Sequence, residues 1–349
     1  MQIKLFDKIV GDGQPVFVIA EVGLNHNGSM EIAKQLIDAA KAAGCDAVKF
    51  QKRHVPSLAV RSFLDAPDLR FPAFGSTYRE VRQAVEFSTS QLMELRDYSR
   101  SKAIPFFVTP FELNSAKEID ALEPEVIKSA SHNLTFIPLL DVLAQKRKPL
   151  IVSTGMSTIE ELDMAVSVIR KYDCPFALLH CVSAYPTPFS LVQLRMIDLL
   201  RERYGVPVGY SGHEEFSAKS LPTLAAVARG ACIVERHITL DNNMPGFDHK
   251  ISLNPADLKE VVLQIRAIES MMGDGKKHLL PEELVKREQQ RVSIATARAI
   301  RAGEIISSEM ISFRGPGTGF ATYEINNVVG KKAVVDISED VLIEKAMLS

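Results

Sequence analysis

Eight short β-rich runs, each followed by a helical pattern, occupy most of this chain, and their alternation constrains its fold more than any other feature. The runs lie at 16–22, 46–50, 104–108, 126–129, 150–153, 176–180, 206–210 and 232–235, and one more helical pattern follows at 255–272. In the first helix Ser29 can cap the free amides, Ile32, Leu36, Ile37 and Ala40 recur on one face, and Gly44 supplies the stop. Capping-box spacings at Ser157-x-x-Glu160 and Ser190-x-x-Gln193 predict the starts of two later helices. Eight strands alternating with helices over about 250 residues predict an α/β fold of the (β/α)8 TIM-barrel type. A doubly wound open sheet would need a Gly-rich phosphate loop after its first strand. Glu21-Val-Gly-Leu-Asn-His-Asn-Gly lacks the G-x-G-x-x-G spacing.

Residues 1–272 are read as the barrel, the charged stretch 273–290 as a linker with a helical turn or two, and 291–349 as a small β-rich module. In that module 293–299 is strand-like and Phe313-Arg-Gly-Pro-Gly-Thr-Gly-Phe forms a glycine-rich loop. It is too small to carry catalysis alone, so its expected role is to cap or complete the barrel mouth. Within the barrel, 52–103 carries Pro56, Pro67, Pro72 and Gly75 ahead of a helix from Ser88, which reads as a lid or substrate-binding insertion.

A formal net charge of −2 provides no basic excess for nucleic acid or an anionic membrane, but leaves room for a locally basic pocket. Cys45, Cys174, Cys181 and Cys232 show no C-x-x-C spacing, which predicts buried, reduced thiols. The amino terminus has no long apolar core, and no run approaches ~18 apolar residues, so a soluble, cytoplasmic protein is expected.

Active sites of such barrels are built at the C-terminal ends of the strands. Here those ends read Glu21, Asn25 and His26; Lys49 and Gln51; Thr109; Lys128 and Ser131; Ser153 and Thr154; His180, Ser183 and Tyr185; Ser211 and His213; Glu235 and His237. Lys49 and Lys128 among hydroxyls make a phosphate site, because lysine supplies point charge and serine and threonine donate to phosphate oxygens. His213 and His237 end adjacent strands, with Glu21 and Asp248 nearby in the proposed mouth. Alone, each would serve equally as a general base or a core histidine. Together they suit a divalent cation with open positions, not a closed structural zinc site. His180, inside an apolar run, is expected to be a hydrogen-bonded interior residue, and His54, His249 and His278 carry no spacing signal.

Ile19-Ala-Glu-Val-Gly-Leu-Asn-His-Asn-Gly, Ala47-Val-Lys-Phe-Gln, Val152-Ser-Thr-Gly-Met, Leu179-His-Cys-Val-Ser-Ala-Tyr-Pro-Thr-Pro, Gly209-Tyr-Ser-Gly-His and Glu235-Arg-His together resemble the sialic acid synthase family, including its spore-coat polysaccharide members. The tail resembles that family's antifreeze-like (SAF, β-clip) domain, with Arg314-Gly-Pro-Gly-Thr-Gly in place of the usual Arg-Pro-Gly-x-Gly. The resemblance implies condensation of phosphoenolpyruvate with the aldehyde form of an N-acyl hexose, N-acetylmannosamine or a related sugar, to a nonulosonic acid and phosphate for surface polysaccharide. It implies Mn2+, or Mg2+ or Co2+, held by His213 and His237, with Glu21 completing the catalytic set. Lys49, Thr109, Lys128, Ser131, Ser153, Ser183 and Ser211 fall on phosphoenolpyruvate-binding positions. Gln51, Tyr185, Asp248 and Arg314 fall on sugar-side positions. A domain-swapped homodimer, each tail capping the partner's barrel, is also implied.

Three positions depart from that pattern: Asn133 stands where a glutamate is common, Ser183 where an asparagine is, and Arg314 one residue early, with Gly315 before Pro316. No further basic cluster for a second phosphate stands out, which favours an unphosphorylated sugar. Two readings compete. An imine-forming aldolase would use Lys49 or Lys128 as nucleophile and need no metal. A degenerate, non-catalytic carbohydrate-binding protein would bind without releasing phosphate.

Overall fold

The computed structural model describes residues 1–215 and 221–349, which divide into two compact units, Met1–Gly273 and Asp274–Ser349. The first unit opens with an antiparallel pair, β1 (Gln2–Leu5) and β2 (Lys8–Gly11). Eight parallel strands follow: β3 (Phe17–Gly23), β4 (Ala47–Lys52), β5 (Phe106–Pro110), β6 (Ile127–Ser129), β7 (Leu150–Ser153), β8 (Phe176–Cys181), β9 (Val208–Gly212) and β10 (Ile233–His237). Their order, β5-β4-β3-β10-β9-β8-β7-β6, is that of a TIM barrel. Among the described residues, β5 and β6 lie side by side at a seam without a hydrogen-bonded ladder. Asn133 crosses that seam, its Nδ2 donating to the Pro110 carbonyl at 3.1 Å.

Side chains on one face of a strand recur every second residue. Phe17, Ile19, Ala47, Phe107, Val126, Ile151, Leu179 and Ile233 belong to one buried cluster inside the barrel, joined by Ile3, Leu5 and Val10 of the β1–β2 pair. That pair, which strand periodicity alone did not predict, therefore packs into the barrel's floor. Two residues further along each strand the same face turns polar: Glu21 follows Ile19, Lys49 follows Ala47, and Thr109 follows Phe107. In the same way Lys128 follows Val126, Ser153 follows Ile151, and Glu235 follows Ile233. A polar layer thus rests directly on an apolar floor. Outward residues such as Val18, Val48 and Phe50 pack against the surrounding helices.

Ser29 caps the helix Met30–Ala43 by accepting from the Ile32 amide, and Gly44 ends it with φ of +84°. Two predicted caps need correction. Thr158, not Ser157, caps Ile159–Arg170 and forms its box with Glu161, because the Ser157 hydroxyl is already donating to the Thr154 carbonyl at 2.8 Å. Met196–Tyr204 begins at Arg195 without a side-chain cap, since Ser190 is taken up in the 3-10 turn Phe189–Leu191. The insertion after β4 folds into the short helices Val55–Leu58, Arg61–Leu64 and Tyr78–Ala84 before the longer Thr89–Ser101.

In the second unit a helix, Pro281–Gln290, precedes β11 (Ser293–Thr296) and β12 (Ile311–Arg314), which pair antiparallel. Ile294, Ile300, Ile306, Val328, Ile337 and Ile343 form its own core. All four cysteines are free and buried. Among the described residues no helix is long and apolar enough to cross a membrane.

Candidate active site

A cleft of about 200 Å³ opens over the C-terminal ends of the barrel strands. It gathers Glu21, Lys49, Gln51, Thr109, Lys128, Ser131, Ser153, Ser183, Tyr185, Ser211, His213, His237 and Asp248, thirteen of the fourteen residues to which the resemblance assigns a role. Arg314 lies in the second unit, where its Nε is 3.0 Å from Asp340 on the surface.

At the inner end two lysines alternate with two carboxylates. Lys49 Nζ is 2.7 Å from Glu21 Oε2 and 3.5 Å from Glu235 Oε1, and it donates to Thr109 Oγ1 at 3.0 Å. Lys128 Nζ donates to Ser153 Oγ at 2.7 Å and lies 3.8 Å from Glu235 Oε2. The register explains the grouping: Glu21 sits beside Lys49 across β3 and β4, and Glu235 beside Ser211 across β10 and β9. All four ionic side chains are buried, so only their mutual pairing makes the charges tolerable. Burial alone would lower the Lys49 pKa, but Glu21 and Glu235 outweigh it and raise it. Lys128, with Lys49 repelling it and Glu235 farther off, is lowered, chiefly by burial. Burial works to raise the Glu235 carboxyl, and the two lysines nevertheless hold it below the ordinary carboxylate value.

Beside this cluster two hydroxyls and a backbone amide come close together. The Gly155 amide donates to Ser131 Oγ at 3.1 Å, and the Ser183 hydroxyl is buried without a partner. A Cβ at position 155 would fall 2.5 Å from Ser183 Oγ and 2.9 Å from Ser131 Oγ, so only glycine lets backbone and hydroxyls crowd together here.

The two histidine rings stand with centroids 5.6 Å apart, at the top of β10 and one residue past β9. His213 Nδ1 lies 2.9 Å from the Val182 carbonyl; with the proton on Nδ1, the Nε2 lone pair is free. His237 Nδ1 is buried without a hydrogen bond, 3.7 Å from Asp248 Oδ2. Burial keeps the His237 pKa low, whereas Cys181, the Val182 carbonyl and Asp248 overcome burial and lift His213 to about 9, so a cation binding at its Nε2 must displace a proton there. Among the described residues no three His, Cys, Asp or Glu side chains form a ready metal cage. The donor set is therefore two nitrogens with open positions, which fits a catalytic cation and not a closed structural one. The Tyr185 ring packs 4.3 Å from the His213 ring.

Glu21 is held from two sides, since Gln51 Nε2 also donates to its Oε1 at 2.6 Å. Gln51 in turn is gripped by Arg53, whose NH2 donates to Gln51 Oε1 at 2.5 Å. Arg53, together with Arg82, Phe111, His132, Cys181 and Phe247, lines the cleft without having been assigned a role from the sequence, as does Glu235, recognised only as a strand end. Arg53 did carry a signal: Lys49, Gln51 and Arg53 follow the two-residue period of a single strand face. Arg82 carried none, because the irregular insertion brings it in. His180, as expected, is an interior residue, with Nε2 at 2.7 Å from the Val192 carbonyl.

Comparison with known proteins gives a consistent result. Residues 36–277 match the NeuB family and residues 291–349 match the SAF domain. The human N-acetylneuraminate-9-phosphate synthase is 35% identical over 95% of this chain and 92% of its own length. The N,N'-diacetyllegionaminic acid synthase of Legionella pneumophila is 36% identical over 94% and 93%. The crystal structure of an N-acetylneuraminic acid (sialic acid) synthetase from Leptospira borgpetersenii, bound to citrate, superposes with a TM-score of 0.72 at 33% identity, covering 82% of this chain and 95% of that one.

Proposed function

Because the chain belongs to the NeuB family and ends in a SAF domain, we propose that it joins phosphoenolpyruvate to the aldehyde carbon of an N-acyl hexose, forming a nonulosonic acid and inorganic phosphate for surface polysaccharide. The observation that carries this reading is the buried Lys49–Glu21–Glu235–Lys128 set lying beside two imidazoles with open coordination. His213 and His237 would hold a divalent cation, Mn2+ or a similar ion, which would supply Lewis acidity toward the aldehyde.

The chain's own residues do the rest. Lys128 with Ser153, and Lys49 with Thr109, offer charge and hydrogen bonds to the phosphate and carboxylate of phosphoenolpyruvate. Ser131, Ser183 and the backbone at Gly155 complete that cradle, and Ser211 lies at its edge, 3.4 Å from Glu235. Attack of the enol carbon on the aldehyde leaves an electron-poor carbon bearing phosphate. Water adds there, and collapse expels phosphate. Glu21, clamped by Lys49 and Gln51, is placed to hold or pass a proton during these steps. Tyr185 and Asp248 orient the sugar, and Arg314 of the SAF domain is a further sugar contact. The domain-swapped homodimer and a cytoplasmic location belong to the same proposal.

An imine-forming aldolase fits less well at Lys49, whose raised pKa makes that amine a poor nucleophile; Lys128, whose pKa burial lowers, is the lysine that such an aldolase would use. The test is phosphate release from phosphoenolpyruvate with a panel of N-acyl hexoses, with and without Mn2+ and chelator. Metal-dependent release with a sugar supports the proposal. Sugar binding without release supports a non-catalytic homologue, and borohydride trapping of a lysine supports the aldolase.

A further inference from the structure

One buried ion pair takes no part in the proposed chemistry, yet its two residues flank the two imidazoles in the chain. Glu214 directly follows His213, and Arg236 directly precedes His237. Arg236 NH1 lies 2.8 Å from Glu214 Oε1, and both side chains are 0% exposed. Strand alternation turns Glu235 and His237 into the barrel mouth and Arg236 away from it, toward the helix Leu221–Ala228. There Arg236 NH1 donates to Thr223 Oγ1 at 2.9 Å, and the Thr223 hydroxyl lies 3.4 Å from Glu214 Oε1. The Tyr210 hydroxyl of β9 donates to Glu214 Oε2 at 3.1 Å. Gly212 stands opposite Arg236 in the β9–β10 register. A Cβ there would fall 2.5 Å from Glu214 Oε2 and 2.8 Å from Tyr210 Cε1, so glycine leaves the space into which the carboxylate folds.

Such a pair is a poor source of stability. Both ions lose their hydration between sheet and helix, and well-packed apolar residues of similar volume commonly hold a fold as well or better. What the pair does supply is position. The ladder between β9 and β10 pairs Ser211 with Glu235 and ends where Gly212 meets Arg236. His213 lies one residue beyond it. On the β8 side His213 is tied by its Nδ1 to the Val182 carbonyl at 2.9 Å, and its own carbonyl accepts from the Thr187 amide at 2.9 Å. Toward β10 the tie is Glu214. One peptide bond, the ion pair and a second peptide bond thus join His213 to His237 in a closed ring with the ladder.

We infer that Arg236 and Glu214 are positioning residues for the cation site, their ion pair setting the separation of the His213 and His237 imidazoles. This rests on the reading of those two histidines as cation ligands. The ring centroids stand 5.6 Å apart. Imidazole nitrogens bind divalent cations at about 2 Å with a tolerance of a few tenths, so a two-histidine site depends steeply on ring separation. Neither Arg236 nor Glu214 lines the cleft, so the pair acts through the backbone of its neighbours and not by touching a substrate. Ser211 and Glu235, at the phosphoenolpyruvate end, are registered within the ladder itself and need no such tie. The pair therefore governs cation affinity and leaves phosphoenolpyruvate affinity nearly alone.

The experiment titrates Mn2+ into the full-length protein, reading free Mn2+ by electron paramagnetic resonance, and measures phosphoenolpyruvate binding by calorimetry. Glu214→Gln is expected to weaken Mn2+ binding about ten- to a hundredfold, the usual scale for residues that orient metal-binding histidines. Arg236→Lys, which keeps a cation beside Glu214, is expected to retain more of the affinity. The double variant Arg236→Met/Glu214→Leu leaves no buried charge alone and is expected to melt near the wild type. It should nevertheless bind Mn2+ roughly tenfold or more weakly, with phosphoenolpyruvate affinity within about threefold of the wild type. A folded double variant with wild-type Mn2+ affinity makes the pair purely structural and overturns the inference. Equal weakening of Mn2+ and phosphoenolpyruvate also overturns it, because that reports a general distortion of the barrel mouth. Should the double variant not fold, wild-type Mn2+ affinity in Glu214→Gln overturns it in the same way. If the wild type binds no Mn2+, the cation reading fails separately, and crystal structures of the wild type and Glu214→Gln still decide the positioning role. Ring centroids kept at 5.6 Å in the variant reject it, and a displacement of more than about 0.5 Å upholds it.

Discussion

The inner and outer ends of the cleft hold their cations in opposite ways. Inside, Lys49 and Lys128 are matched by Glu21 and Glu235 at 2.7 to 3.8 Å. Outside, Arg53 and Arg82 lie against aromatic rings and keep nitrogens unpartnered. A buried charge persists only where something offsets its lost hydration. The inner set offsets itself, so it is rigid before any ligand arrives, as electrostatic preorganisation requires. The outer pair relies on ring faces, a weaker compensation, and gains most when an anion binds. Under the proposed function, the first arrangement serves the condensation itself.

Breaking the inner set has the largest expected effect. Lys128→Met leaves Glu235 with one cation instead of two, and should cost about 3–5 kcal/mol of stability and reduce phosphate release about a thousandfold or more. Thermal melts and steady-state kinetics read the two losses. The double variant Lys49→Met/Glu21→Gln removes charge of both signs and should recover part of the stability lost by Lys49→Met without recovering activity. Arg82→Gln orphans no carboxylate and should change stability by less than about 1 kcal/mol, which separates the two ends directly.

Next in size is the metal half-site. His213→Ala, or chelation of the wild type, should lower turnover about a hundredfold or more, with Mn2+ restoring only the wild type. Turnover in chelator equal to that in Mn2+ would remove the cation from the account.

A smaller effect concerns His26, which stacks on Phe87 at 4.0 Å beneath the outer wall. Burial, reinforced by Arg53, lowers its pKa to about 3. Above the ordinary value of 6.5 it is neutral in both folded and unfolded chains and contributes no pH dependence. Below that value the unfolded chain takes up a proton that the folded one refuses, so stability falls with pH, by about 2 kcal/mol between pH 6.5 and pH 5. Urea unfolding of the wild type and His26→Gln should show the shallower acid slope in the variant.

Much of this was legible in the sequence because barrel geometry converts position into function. Once eight strands are placed, their last inward residues must share a mouth, and that is why Glu21, Lys49, Lys128, His213 and His237 lie together. What stayed hidden depends on irregular chain. Arg82 arrives from the insertion, Phe247 from the loop after β10, and the β1–β2 pair packs into the floor without a helical or barrel rhythm to announce it. The capping serines failed for a related reason: a hydroxyl can be claimed by a loop carbonyl before it reaches the helix, as at Ser157. Asn133 is a different case. Its amide donates across the seam to Pro110, a bond no ionised glutamate could make, so an asparagine here has a structural use. Asn133→Asp should place two acceptors face to face and cost about 1–2 kcal/mol, seen as a lower melting temperature.

The central claim is that this cleft makes a carbon–carbon bond between phosphoenolpyruvate and a sugar aldehyde. It is tested most directly by supplying phosphoenolpyruvate labelled with 13C at its methylene carbon together with N-acyl hexose labelled at C1. A one-bond carbon–carbon coupling in the product, growing in step with free phosphate, is the predicted result. Phosphate release without that coupling, or no reaction with any N-acyl hexose or its 6-phosphate, would contradict the account.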